Sequence, residues 1–289
     1  MDEIGAFLVS KPLSDGTKDR YRRSIELINL DLNIQNLNAE QFGEWLDQRG
    51  WASNTRWVNY CAIRSFIKWK FGENHPALKL KIKRKDSGEQ RTLDLAQVKS
   101  LLASFDMSTF FGIRNLAMAM LFLDTGLRVS EIAHIQLTNI DLHKLKLKVI
   151  VKGGDMASAL FTNYTAHYIT QWLEIRKKFA APGVTNLFVG IGGSTPGRAM
   201  TRDGLKVVVR NWAKVVPDIA KLSPHDLRRT FACLSTEAGS PEKLTMLGGR
   251  WNNTDMVSRY TRHLRQNSFR KYLPITSIME DKFVPLDED

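Results

Sequence analysis

Apolar residues in this chain recur at helical spacing, change once to strict alternation, and then return to helical spacing. Residues 1–85 carry four helical stretches. A short one covers Glu3–Val9, and a second runs from about Thr17 to Leu30 with Tyr21, Ile25 and Ile28 on one face. A third, Ala39–Gln48, brings Phe42, Trp45 and Leu46 together. The fourth, Asn54–Lys70, follows Ser53, a good N-terminal cap, and carries Val58, Cys61, Ala62, Phe66 and Trp69 on its apolar side. Helices with one apolar face each predict a small bundle.

Residues 79–91, KLKIKRKDSGEQR, have no apolar period and place five basic side chains between Lys79 and Lys85. They predict an exposed connection. The expected division is a helical domain over 1–85, a linker over 86–91, a second domain over 92–273 and a tail over 274–289. In the second domain, Asp94 and Gln97 form a capping-box pattern, with Leu95, Val98, Leu101 and Leu102 facing inward. Phe110–Asp124 is apolar almost throughout and predicts a core helix ended by Gly126. Arg128 follows at once, and Val129–Gln136 starts a helix that sets Glu131 one turn on. From Lys144 to Thr162 the period becomes two. Leu145, Leu147, Val149 and Val151 alternate with Lys144, Lys146, Lys148, Ile150 and Lys152, and Gly153-Gly154-Asp155 turns the chain back. This is the pattern of a β-hairpin with lysines on one face. Asn163–Phe179 and Thr201–Val215 are helical again, and the latter repeats Arg202, Lys206, Arg210 and Lys214 every four residues. The Gly-rich GIGGSTPGRAM between them lacks the Gly-Lys-Ser/Thr of a phosphate-binding loop and is given no nucleotide role. The fold class expected is mainly α with a small β-sheet.

Composition narrows the function. At 43% apolar and 9% aromatic, 289 residues are enough for two cores and too apolar for a disordered chain. Lys and Arg number 42 against 30 Asp and Glu, and the pI of about 9.7 points to a polyanionic partner. The charge is uneven: residues 92–279 carry +12, residues 1–91 carry +4, and the last ten carry −4. Cys61 and Cys233 lie in apolar helical patterns and read as buried thiols, so neither a disulfide nor a metal set is expected. The N-terminal MDEIGAFLVSK lacks the basic start of a signal peptide, and no run of ~18 apolar residues occurs. A cytoplasmic, nucleoid-associated protein is expected.

The candidate chemistry lies between Leu222 and His263. Ser223-Pro224-His225-Asp226 reads as a helix start, which sets His225 in the first turn and Arg228 one turn later on the same side. Helix N-terminal amides favour an anion there. Taken alone, a His-x-x-Arg pair is more often structural. The wider order changes that: TGLR-x-x-E after an apolar helix, a lysine at a hairpin turn, PHDLRRTFA, Leu-Gly, and a tyrosine nine residues after a tryptophan.

That series resembles the tyrosine recombinase (phage integrase) family, through motifs over about residues 92–270 and more loosely over residues 1–85. The resemblance implies a helical core-binding domain and an α+β catalytic domain of the DNA breaking-and-rejoining type. By the same resemblance, Arg128 and Arg228 would clamp the scissile phosphate, a task suited to a planar, always-charged, bidentate group. Lys152 in the VKGG turn would protonate the 5′-oxygen leaving group, although Lys146 and Lys148 compete for that role. His225 would move a proton or bind a phosphate oxygen, and Trp251 would donate from its indole where the family carries His or Trp. Tyr260 would attack to leave a 3′-phosphotyrosine, and Glu131 would orient the basic cluster. The chain departs from the usual Leu-Gly-His: here Leu247-Gly248 is followed by Gly249-Arg250-Trp251, and Tyr260 is followed by Thr261-Arg262-His263. Tyr164, Tyr168 and Tyr272 lack the surrounding arginine pattern.

A phenol with a pKa near ~10 needs cations beside it to act as a nucleophile. Donors around a pentavalent phosphate supply electrostatic stabilisation, and a covalent intermediate conserves the phosphodiester energy. The resemblance therefore implies no metal and no other cofactor. DNA contacts are expected from Arg56, Arg64, Lys68, Lys83, Arg84, Arg202, Lys206 and Arg210, although the basic side of the fourth helix would also serve as an ordinary solvated face. The function expected is site-specific recombination with Holliday-junction strand exchange. The expected partners are duplex DNA with paired inverted sites, a homo-tetramer on DNA that is a monomer or weak oligomer without it, and accessory proteins, with no membrane. A type IB topoisomerase-like nicking–closing enzyme and a non-catalytic DNA-binding protein are the alternatives. The apolar stripe Ile275, Ile278, Met279 and Phe283 in the tail packs either on its own domain or on a neighbouring protomer.

Overall fold

The computed structural model describes residues 2–84, 90–151, 154–193, 196–216, 218–261 and 264. The chain divides into two compact units, Met1–Gly88 and Glu89–Asp289. Among the described residues, no helix is long and apolar enough to cross a membrane.

The first unit is helical: α1 Glu3–Val9, α2 Asp15–Asp31, α3 Ala39–Gln48 and α4 Ser53–Phe71. Its core is Phe7, Ile25, Ile28, Phe42, Leu46, Ile63, Phe66 and Ile67, with the Phe7 and Phe66 rings edge to face at 5.4 Å. Helix α4 differs from the sequence expectation. Ala62 and Phe66 are buried as expected and are joined by Tyr60, Ile63 and Ile67, whereas Trp69 is 40% exposed and Val58 and Cys61 are half-buried. Ile63, Phe66 and Ile67 stand three and four residues apart, which puts these large apolar side chains on one face. Ser53 is the first residue of α4 and not its cap; Ala52 takes that place without a side-chain hydrogen bond. The chain after α4 is tied back onto it. Tyr60 donates its hydroxyl to Leu80 O at 2.7 Å, and Arg64 Nη1 donates to Leu78 O at 2.5 Å and Leu80 O at 3.2 Å.

The second unit is built around α6, Phe110–Thr125, which is buried nearly all round by Leu116, Ala117, Met118, Ala119, Leu121 and Phe122. Helix α5, Leu95–Ala103, carries the expected Asp94–Gln97 capping box. Leu95 is 54% exposed rather than inward, since the first residue of this helix sits at the edge, while Val98 and Leu101 are buried. After α6 come the single turn α7, Val129–Ala133, and a three-stranded antiparallel sheet of β1 Ile140–Asp141, β2 Lys146–Ile150 and β3 Met156–Leu160. Leu147 pairs with Ala159 and Val149 with Ala157; Leu147, Val149 and Ala159 face the core, and Lys148 and Ile150 face solvent. Lys146 and Lys148 therefore share the outer face of β2, whereas Lys144 and Leu145 precede the strand. β1 was not evident from the sequence, because two residues show no period.

Helices α8 Asn163–Arg176, α9 Arg202–Trp212, α10 Pro224–Glu237, α11 Glu242–Gly249 and α12 Thr254–Tyr260 complete the unit. Asp124, at the end of α6, accepts from Thr162 N at 2.7 Å and from the hydroxyls of Thr162 and Thr165 at 2.7 and 2.6 Å. That joins α6 to the start of α8. α8 and α9 are both shorter than expected, and residues Ala213–Val215 form a separate tight turn.

Candidate active site

The site begins where α6 ends. Gly126 has φ 56° and closes the helix in the left-handed region, where glycine carries no steric cost. A Cβ there would meet the Phe231 ring at 2.5 Å, so this corner needs glycine for space as well. The chain leaves the corner into Arg128, which stands at the start of α7. Glu131 reaches back: its Oε2 accepts Arg128 N at 2.8 Å and its Oε1 accepts Arg128 Nη1 at 2.7 Å. The carboxylate is buried and the guanidinium it orients is partly open. Glu131 thus holds both the backbone and the side chain of Arg128.

Helix α10 supplies the next groups. Ser223 and Asp226 cap it reciprocally, with Ser223 N to Asp226 Oδ2 at 2.8 Å, and Pro224 opens the first turn. That fixes His225 and Arg228 one turn apart. Arg228 is fully buried. Its Nη1 donates to Gly126 O and its Nη2 to Gly249 O at 2.6 Å, and its guanidinium lies 4.4 Å over the Trp251 ring. Burial first, and Arg128 next, lower its pKa to about 9, which leaves it protonated at neutral pH. His225 keeps a solvent-facing edge while its ring turns toward Tyr260, centroid to centroid 6.1 Å at 87°. Burial of the ring, then Arg229 and Arg228, lower its pKa from 6.5 to about 4. Solvent at the exposed edge tempers the size of that shift but not its direction, because two more cations than anions face the ring. His225 is neutral near pH 7.

Trp251 and Tyr260 close the site from the C-terminal side. Their rings stand 5.7 Å apart within a small apolar cluster of Ala232, Trp251, Val257 and Tyr260, separate from the main core. Cys233 Sγ donates to Tyr260 O at 3.3 Å and anchors α12 on α10; burial raises this thiol to about pKa 11, so it stays protonated. The Arg229 guanidinium lies 5.8 Å from the Tyr260 ring. The Tyr260 hydroxyl is buried and has no hydrogen-bond partner among the described residues. A Cβ on Gly249 would sit 1.9 Å from the Trp251 ring, so glycine is required for the indole to lie there.

Of the sequence-derived site residues, Arg128, Glu131, His225, Arg228, Trp251 and Tyr260 therefore fall in one neighbourhood. Lys152 lies outside the described residues, as do His263, Tyr272 and the 274–289 tail. Three residues were missed: Arg229, Gly249 and Arg250. The signal for the last two was the Gly-Gly-Arg break before Trp251, which an apolar-period reading passes over. The surface candidates divide. Arg202, Lys206 and Arg210 share a side of α9, with Lys206 Nζ 2.9 Å from Asp203 and Arg210 exposed. Lys83 is exposed, and Arg84 donates to Asn54 Oδ1 at 3.0 Å. Lys68 is exposed beside Glu73, and Arg56 pairs with Asp47 at 2.8 Å. Arg64 is half-buried, and its Nη1 donates to the carbonyls of Leu78 and Leu80, which hold the chain after α4.

The model of the phage integrase family matches residues 91–267. The tyrosine recombinase XerD of Staphylococcus aureus is 28% identical over 284 residues, covering 91% of this chain and 92% of that protein. XerC of Vibrio parahaemolyticus is 26% identical over 243 residues, covering 80% of this chain and 77% of the relative. Two solved structures share the fold. The Tn1549 transposon integrase in complex with transposon right end DNA superposes with a TM-score of 0.74 at 16% identity, over 98% of this chain and 99% of that one. A lambda integrase dimer bound to a COC′ core site gives 0.71 at 14% identity, over 89% of this chain and 92% of that one. Fold, site and relatives define the class as tyrosine-type site-specific recombinases. The chain belongs to the phage integrase family.

Proposed function

We propose that this recombinase cuts and rejoins duplex DNA through Tyr260. The phenol oxygen forms a bond to the scissile phosphorus, the bond to the 5′-oxygen breaks, and that oxygen leaves with a proton. The product is a 3′-phosphotyrosine, which a 5′-hydroxyl from a second duplex reverses, so two successive exchanges pass through a Holliday junction. Arg128 and Arg228 hold the non-bridging oxygens, and Trp251 adds an indole N–H. His225, neutral near pH 7, accepts the phenol proton or binds a phosphate oxygen. Lys152 protonates the leaving oxygen, and Glu131 aims Arg128. The observation that carries this reading is the buried Tyr260 hydroxyl, without a partner among the described residues and set among His225, Trp251 and the arginines. A buried polar group of this kind calls for a ligand, and a phosphate with its surrounding cations supplies one.

The Met1–Gly88 unit and the α9 face grip duplex DNA at paired inverted sites, with Lys83, Arg84, Arg202, Lys206 and Arg210 toward phosphates. The chain acts as a homo-tetramer on DNA, and the 274–289 tail docks on a neighbouring protomer. The test uses nicked suicide duplexes, selected by binding from a randomised pool, in the presence of a chelator. A covalent protein–DNA band that disappears in Tyr260→Phe, while binding persists, supports the reading. Tight binding without a covalent band rejects it in favour of a non-catalytic binder. Relaxation of supercoiled DNA without joining of two sites favours a nicking–closing enzyme.

A further inference from the structure

Arg250 occupies a position its backbone does not favour. It ends α11 with φ 55° and ψ 46°, in the left-handed region that side chains rarely adopt. Glycine would take this turn without strain, so the arginine's contribution must lie in its side chain. That side chain is buried and spans two parts of the site. Nη2 donates to Thr125 O at 2.8 Å, at the last turn of α6, and Nη1 donates to Gly248 O at 2.7 Å. Nη2 also lies 3.9 Å from Glu131 Oε2. Nε is buried without a partner among the described residues.

Glu131 is therefore shared. Its side chain is 2% exposed, and it faces two guanidiniums: Arg128 at 37% exposure and Arg250 at 8%. A buried carboxylate needs a cation beside it. If Arg128 were its sole counter-ion, turning the Arg128 donors toward a phosphate would strip Glu131 of compensation. The nearly closed Arg250 cannot reach out itself, but it remains with Glu131. It also fixes Thr125, next to the Gly126 carbonyl that accepts from Arg228, against the corner that carries Trp251.

We propose that Arg250 is a positioning residue for phosphate capture. It holds Glu131 and the end of α6 to the Trp251 corner, so that Arg128 is free to engage the phosphate while Glu131 stays paired. This rests on the reading of the site given above. The test compares wild type, Arg250→Gly and Arg250→Lys on nicked suicide duplexes selected by binding from a randomised pool. Both the single-turnover rate of covalent complex formation and the Kd for the same duplexes are measured. Arg250→Gly, with a backbone suited to the turn, should keep its melting temperature and a Kd within about twofold. Its rate should fall on the order of 10- to 100-fold, as expected for a misplaced phosphate ligand. Arg250→Lys should recover much of that rate by restoring the charge. A glycine variant as fast as wild type overturns the proposal. So does a rate loss matched by an equal loss of affinity or of melting temperature, or a lysine variant no better than glycine. If wild type itself forms no covalent complex, the reading of Tyr260 fails, and the proposal falls with it by a distinct result.

Discussion

His225 and Tyr260 are the residues where environment most changes ordinary chemistry. The folded pKa of His225 lies below its unfolded value of 6.5, at about 4, so between those values the unfolded chain binds a proton that the folded one refuses. Stability should therefore rise with pH from about 4 to 6.5 and show no further His225 contribution above it. Urea unfolding from pH 4.5 to 7 checks this: His225→Gln should flatten the slope, by less than full burial implies because one edge is solvated. An equal slope in both proteins contradicts it. Tyr260 predicts a trade between function and stability. Removing its hydroxyl should abolish cleavage, and Tyr260→Phe should be as stable as wild type or more stable by about 1 kcal/mol, since a buried group with no partner among the described residues no longer loses hydration. A variant clearly less stable in denaturant titration would show that the hydroxyl already has a partner. His225 and Arg228 were legible from their spacing on a capped helix, but the neutrality of His225 was not. It depends on burial first, then on Arg229 and Arg228 of the same helix, and last on Arg128 from a distant part of the chain.

Short elements carry this site, and their ends matter more than their lengths. Helix α10 holds both His225 and Arg228, and its register depends on the Ser223–Asp226 capping box. Ser223→Ala should cost about 1 kcal/mol of stability, read by thermal or urea unfolding, and should slow covalent complex formation by loosening the first turn. A variant with unchanged stability would mean that Pro224 and Asp226 alone set the start. Capping signals of this kind are local, and so the beginnings of α5 and α10 could be read directly from the sequence. The inward face of α4 was not so legible. Two apolar stripes compete on that helix, and which one turns inward depends on the partners α1 and α2 offer. Arg64 lies on the side that looked purely solvated or DNA-facing, and only the folded chain shows the carbonyls that engage it.

At the scale of the whole molecule, the charge is divided unevenly along the chain: residues 92–279 carry +12 and the last ten carry −4. Ile275, Ile278, Met279 and Phe283 give the tail an apolar stripe of its own. Deleting residues 274–289 should leave single-site DNA binding within about twofold and weaken assembly of several protomers on DNA, measured by gel shift and light scattering. Unchanged assembly would place the tail on its own domain. Affinity itself should fall steeply with salt, because phosphate contacts release counterions.

By itself, the sequence determined the class of fold, the change from helix to hairpin and back, and the order of motifs that marks the family. Each of these is written in local period, caps and spacing, which need no tertiary partner. Tertiary structure alone decided which arginine does what. Arg228 is sealed between the carbonyls of Gly126 and Gly249, Arg64 is used as a clasp, and Arg250 joins Glu131 across more than a hundred residues of chain. A guanidinium looks the same at every position in a sequence; its role is set by the oxygens and rings that the fold brings around it.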